Sequence, residues 1–184
     1  MAVTRVTRTV LRESGEYIEH THRSDSAGDR IFGSADVDRC FGMGGNDRIY
    51  GRAGADQLFG GSGQDQLSGG SGADRLTGGA EADTFIFDTT LSSRNVDRIT
   101  DFRRTDNDKI RLDDKIFKAV SGGKWSRDAF TNGQAASDAE DRIIYDRASG
   151  SLYYDADGSG AGTAVKFAVL KAGTALSWSD FVIF

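Results

Sequence analysis

Between Ser24 and Ile86 an apolar side chain returns at every ninth residue: Ile31, Cys40, Ile49, Leu58, Leu67, Leu76 and Phe85. Neither the helical period of 3.6 nor the strand period of 2 accounts for this spacing, which marks a repeated unit. The units read SDSAGDRIF, GSADVDRCF, GMGGNDRIY, GRAGADQLF, GGSGQDQLS, GGSGADRLT and GGAEADTFI. Six residues of each, rich in Gly, Asp and Ser, predict a turn that needs positive φ and close backbone approach. The last three predict a very short strand whose middle residue points inward. Two units then make one coil of 18 residues, so odd and even units lie on opposite sheets of a parallel roll. With coils about 4.8 Å apart, the core is a column of Ile31, Ile49, Leu67 and Phe85 facing Cys40, Leu58 and Leu76. Cys40 therefore reads as a buried structural residue.

Outside the block the period changes. Residues 1–23 alternate apolar and polar positions at Val3, Val6 and Val10, and again around Tyr17 and Ile18, which predicts one or two strands forming an N-terminal cap. From residue 84 longer strands are expected in TFIF, DRITDF and DKIRL, followed by a short helix near Asp113–Val120, where Ile116 and Val120 lie one turn apart. Residues 121–140 form a loop-rich connector, and DRIIYD, GSLYYDA and AVKFAVL predict three strands, the first two joined by a turn at Arg147–Gly150. The expected fold is all-β: an N-terminal strand segment at 1–23, a parallel β-roll at 24–86 and a β-rich capping region at 87–184.

Composition changes this picture little and charge changes it more. The chain has 184 residues, 24 Gly and no Pro, long enough for one or two compact domains. One cysteine leaves no intramolecular disulfide, so packing or bound ions must stabilise the fold. The net charge of -5 argues against a general nucleic-acid surface and favours cationic partners. The acidity is patterned: Asp29, Asp38, Asp47, Asp56, Asp65, Asp74 and Asp83 hold the sixth position of all seven units.

In a roll these aspartates stack one strand spacing apart and repel. One inward side chain per nine residues is also a thin core against an ordering cost of roughly 1–2 kcal/mol per residue. A cation between the turns answers both problems. Calcium suits the donors, because it takes carboxylate and carbonyl oxygens in flexible coordination, whereas magnesium demands tighter octahedral geometry and zinc wants His or Cys.

The pattern G-G-x-G-x-D-x-U-x resembles the repeats-in-toxin (RTX), hemolysin-type calcium-binding family, found as C-terminal β-rolls of serralysin-type proteases and in alginate epimerases. The resemblance implies an ion between turns 18 residues apart, held by carbonyls of positions two and four plus the Asp of the earlier turn, and carbonyls of positions one and three plus the Asp of the later turn. Carried onto this sequence, one site joins Gly61, Gly63 and Asp65 with Gly78, Ala80 and Asp83. A second joins Arg52, Gly54 and Asp56 with Gly69, Ser71 and Asp74, and a third joins Met43, Gly45 and Asp47 with Gly60, Ser62 and Asp65. A fourth joins Ser34, Asp36 and Asp38 with Gly51, Ala53 and Asp56; a fifth uses Asp25, Ala27 and Asp29 with Gly42, Gly44 and Asp47. The phrase ADTFIF followed by D-R-I-T-D-F resembles the closing segment of serralysin-type rolls, where such aspartates complete the last site; here Asp97 and Asp101 would join Gly70, Gly72 and Asp74. About four to six calcium ions are implied. Met43, Arg52 and Asp36 depart from glycine, which puts their backbone conformation in question.

The resemblance also implies a route. A C-terminus of the form Asp180-Phe-Val-Ile-Phe184 is similar to the uncleaved signal of type I secretion, and it also reads as a final strand. With no apolar stretch typical of a signal peptide near the N-terminus and no membrane-spanning run, the expectation is a secreted, extracellular calcium-binding protein that meets the type I secretion machinery and folds on extracellular calcium. A module of a larger secreted enzyme or toxin is the alternative, as is an adhesin-like or lectin-like binder. Catalysis has no support, because H-E-x-x-H, G-x-S-x-G and the P-loop are absent. The pair His20 and His22 would share one strand face but lacks a third ligand and reads as solvent-exposed. Asp155-Ala-Asp157-Gly-Ser159-Gly imitates the start of an EF-hand loop, yet its twelfth position is Lys166, so a tight turn is the default. The outward ninth position carries Phe32, Phe41, Tyr50 and Phe59, an aromatic ladder expected to be a packing surface for the terminal segments or a face for a glycan or protein partner.

Overall fold

A computed structural model describes residues 5–11, 18–23 and 28–184. The chain is all-β. Its strands in order are β1 (Arg5–Leu11), β2 (Ile18–Arg23), β3 (Arg30–Phe32), β4 (Asp38–Gly44), β5 (Arg48–Ala53), β6 (Gln57–Ser62), β7 (Gln66–Ser71) and β8 (Arg75–Ala80). They continue as β9 (Thr84–Phe87), β10 (Asp97–Ile99), β11 (Lys109–Leu112), β12 (Phe130–Asn132), β13 (Ile143–Asp146), β14 (Ser151–Tyr154), β15 (Val165–Val169) and β16 (Phe181–Ile183).

Alternate units build opposite sheets. One sheet runs β1-β2-β4-β6-β8-β10-β15-β14-β13-β12 and the other β16-β11-β9-β7-β5-β3. Within the roll every pairing is parallel and offset by one coil: Leu58 opposes Leu76, and Leu67 opposes Phe85. This is the parallel β-roll expected from the period. Strands β4 to β8 are longer than three residues, because pairing resumes past the corner: Gly61 opposes Gly79 and Ser62 opposes Ala80. Ile31, Cys40, Ile49, Leu58, Leu67, Leu76 and Phe85 are fully buried, one column between the sheets. Burial and the neighbouring Asp38 and Asp56 push the Cys40 thiol up to about 12, which keeps it protonated and unreactive.

Both ends extend these sheets. β1 pairs antiparallel with β2, and β2 joins the edge of the roll beside β4, so the hairpin lengthens a sheet. The side chains of His20 and His22 lie outside the described residues. At the other end β10 pairs with β15, and β15, β14 and β13 form an antiparallel meander. A true core appears here: Phe87, Phe117, Tyr154 and Phe167 meet edge-on with ring centroids 5.1–5.2 Å apart. The helix expected at Asp113–Val120 is reduced to a 3₁₀ turn at Lys118–Val120. Asp113 turns the chain by accepting the Lys115 amide on its side chain, and Gly122 and Gly123 at positive φ follow.

The aromatic ladder stacks along the coils. Phe41 and Phe59 lie 4.9 Å apart and Phe32 and Tyr50 5.1 Å apart, the rings stacked and nearly parallel in each pair. Among the described residues no helix is long and apolar enough to cross a membrane.

Candidate metal centres

The turns are built from a backbone that few residue types accept. Positions two and four take the left-handed region, as at Gly61 (φ 116°) and Gly63 (φ 118°). Where glycine is missing, the fold imposes the same conformation on Met43 (φ 71°), Arg52 (φ 78°) and Glu81 (φ 78°), at a cost of about 1–2 kcal/mol each. Ser34 and Asp36 are the exception, for neither enters that region.

The aspartates form two rows along the coils. From the second member of each row onward, one carboxylate oxygen accepts the amide of the preceding aspartate. Asp29 N–H donates to Asp47 Oδ1 (2.7 Å), Asp38 to Asp56, Asp47 to Asp65 and Asp56 to Asp74 (2.8 Å each). Asp65 donates to Asp83, Asp74 to Asp97 and Asp83 to Asp108, at 3.0 Å each. The other oxygen is the one that matters for chemistry. Oδ2 of Asp29, Asp56, Asp65 and Asp74 is buried with no hydrogen-bond partner. A buried carboxylate oxygen without a donor is costly, so it marks a place for a positive charge.

The oxygens of two turns converge there. A Cβ on Gly60 would strike both Asp65 Oδ2 and the Gly78 carbonyl, and one on Gly51 both Asp56 Oδ2 and the Gly69 carbonyl. Gly42 holds the same relation to Asp47 and Gly60, and Gly33 to Asp38 and Gly51. Position-one glycine therefore keeps open the cradle in which an Asp of one turn meets the position-one carbonyl of the next coil. Carbonyls of positions two and four face them from the earlier coil: those of Met43, Gly45, Arg52, Gly54 and Asp36 abut Gly61, Gly63, Gly70, Gly72 and Gly54 of the next. The position-three carbonyls of Ser71 and Ala80 accept the amides of Gly54 and Gly63, and each has a second lone pair. The donors are hard oxygens throughout. Among the described residues no three His, Cys, Asp or Glu side chains cluster, so backbone carbonyls must supply most ligands. That set fits calcium and fits zinc poorly. Gly60→Ala is expected to cost about 2 kcal/mol or more in calcium-loaded stability and to lose one bound ion, measurable by calorimetric titration and thermal melting.

The structure treats the remaining predicted sets differently. In the fourth, Ser34 turns its own amide (2.6 Å) and hydroxyl (2.9 Å) onto Asp38 Oδ2. Ala53 follows in the next coil, its amide on the Ser34 carbonyl at 3.4 Å. In the fifth, Asp25 and Ala27 lie outside the described residues; of the rest, Asp29 N–H donates to Asp47 Oδ1 and Gly42 abuts Asp47 Oδ2. In the sixth, Asp97 reaches Asp74, but the Gly70 carbonyl already accepts from Thr89 Oγ1 (2.7 Å); the Gly72 amide donates to Asn95 Oδ1 (2.9 Å). Asp101 is not brought to this set. It stands one unit further on, accepting Gly78 N–H (3.0 Å) and Gly79 N–H (2.9 Å). Sequence reasoning missed Asp108, which continues one row beyond Asp83; the repeated phrase Asp97-Arg-Ile and Asp108-Lys-Ile was its signal.

Electrostatics follows from this stacking. Burial, with added repulsion from Asp74 and Asp38, pushes Asp56 up to about 7. Burial, then Asp108, Asp65 and Asp101, does the same for Asp83, also to about 7. Asp65 and Asp74 are raised chiefly by burial, and Asp97 by burial and by Asp74. These groups need either protons or a divalent counter-charge.

Residues 25–49, 32–67 and 59–88 match the RTX calcium-binding nonapeptide repeat. No curated protein matches the chain. Among solved structures it is similar to the AlgE6R2 subunit of the Azotobacter vinelandii mannuronan C5-epimerase, at 26% identity and TM-score 0.48, covering 92% of this chain and 94% of that one. It is also similar to the AlgE6R3 subunit of the same enzyme, at 27% identity and TM-score 0.35, covering 86% and 80%. Over residues 25–88 the chain carries RTX calcium-binding nonapeptide repeats, and their described part is folded as a parallel β-roll.

Proposed function

We propose that this is a secreted, non-catalytic calcium-binding protein whose roll folds when the chain meets extracellular calcium after type I export. The observation that carries the reading is the buried, partnerless Oδ2 of Asp56 and Asp65, each sharing a glycine cradle with a carbonyl of the following coil. Bound calcium supplies the divalent counter-charge that these oxygens lack. Two features support it: the Oδ1 bonds hold the carboxylates in register, and position-one glycine leaves no side chain against the second oxygen. Ion binding then appears as folding free energy. Extracellular modules of this kind respond at about 10⁻⁴–10⁻³ M, well above cytosolic calcium, so the chain is threadable inside the cell and ordered outside it. The C-terminus supports the same order of events. Asp180 is buried and caps the turn that starts at Ser177, and Phe181–Ile183 pairs with β11, so a signal there is legible only before folding.

Calorimetric titration of the full chain tests the reading. The expected result is about four to six calcium ions per chain with a midpoint in that millimolar to submillimolar range. Absence of binding heat, or a single ion per chain, refutes it.

A further inference from the structure

The last turn pair of the roll differs from those before it. Gly78–Asp83 stacks against Asp101–Asp108, and there the chain itself supplies a cation. Arg103 Nη1 donates to the Gly79 carbonyl at 3.1 Å and lies 3.4 Å from Asp106 Oδ2. Gly79 is the position-two residue of its unit (φ 113°), so its carbonyl is the counterpart of those that aim across the coils at Met43 and Arg52. The other donors of the pair are also committed. Asp101 spans the amides of Gly78 and Gly79, and Asp108 accepts Asp83 N–H on one oxygen and Arg103 N–H (2.7 Å) on the other.

We propose that Arg103 is a tethered cation that closes this last pair, excludes a metal from it and holds the C-terminal coil folded without calcium. The inference rests on the calcium-binding reading of the earlier turns. It does not require a strong ion pair, since the Arg103 side chain is about half exposed and such contacts stabilise little. What counts is occupancy: the guanidinium fills an acceptor that a metal would need and places a positive charge within a few ångströms of any second cation. The preceding pair shows an intermediate stage, with the Thr89 hydroxyl on the Gly70 carbonyl while Asp74 and Asp97 still converge. The roll thus passes from metal-dependent turns to a protein-closed one where it meets the aromatic core.

Two measurements decide this. In calorimetric titration Arg103→Ala is expected to bind one calcium ion more than the unaltered chain, and Arg103→Lys the same number. In chelator, the amides of Asp83 and Lys109, bonded to Asp108 and to the Asp83 carbonyl, are expected to exchange at least about tenfold more slowly than that of Asp56. An unchanged ion count in a folded Arg103→Ala chain overturns the proposal. So does fast exchange at Asp83 and Lys109 in the unaltered chain, a result that stands even if the alanine variant fails to fold. Failure of the unaltered chain to bind calcium in the same titration refutes instead the reading on which the inference rests.

Discussion

In excess chelator the far-ultraviolet circular dichroism of this chain is expected to lose the greater part of its β signal, and added calcium to restore it. Each half-coil buries one apolar side chain, such as Leu58 or Leu67, and fixes nine residues to do so. Ordering costs roughly 1–2 kcal/mol per residue, so that column cannot hold the roll by itself. Stacked, buried carboxylates add a further cost that only a counter-charge removes. The loss should be uneven. The Phe87, Phe117, Tyr154 and Phe167 cluster and the β13–β15 meander carry an ordinary packed core without such carboxylate rows. Both tryptophans, Trp125 and Trp178, lie in that part, so their fluorescence should change less than the dichroism. Identical dichroism in chelator and in calcium would refute the switch.

Acid should do part of what calcium does. In the ion-free roll Asp56 and Asp83 have their pKa raised from the ordinary 3.8 to about 7. A carboxyl whose folded pKa lies above its unfolded value favours the folded state fully below the unfolded value, and that contribution is lost as pH rises through the folded one. Between about pH 4 and pH 7, then, the chelated chain should lose β structure as pH rises and regain it on acidification. The same protons oppose the metal. Lowering pH from 7.5 to 5.5 should move the calcium midpoint upward, by up to about tenfold per pH unit for each proton released. Dichroism at fixed calcium across that range measures it. A midpoint independent of pH would show that the carboxylates are already ionised in the ion-free roll, against the burial seen for Asp56, Asp65 and Asp83.

The repeat block was legible because one period specifies both its core and its turns. Leu58 and Asp56 fall at fixed places in the unit, and each pairs with its copy one coil on. The ends were not legible in that way. β2 joins the roll through backbone pairing at a sheet edge, which no periodic side chain announces. β10 lies beside β15, separated from it by most of the C-terminal region, because a parallel sheet admits any strand of suitable register. Among the predicted ligands, the departures came from side chains that compete for the same oxygens: Ser34 on Asp38 and Thr89 on Gly70. Such competition depends on three-dimensional neighbours up to 19 residues apart, beyond what a nine-residue frame conveys. Glu81 shows the converse, since the coil forces it into the left-handed region that its residue type disfavours.

The two rows of aspartates have a consequence for how the protein responds. One row links Asp29, Asp47, Asp65, Asp83 and Asp108, and the other Asp38, Asp56, Asp74 and Asp97. Every interior member serves two neighbours, one through its amide and one through its carboxylate. Ordering any rung therefore presets half of the next, as in a one-dimensional array with nearest-neighbour coupling. Such an array answers a ligand with a threshold whose steepness grows with the number of coupled rungs. The chain should pass from disorder to order over a narrow span of calcium concentration, with array length setting the sharpness of that transition.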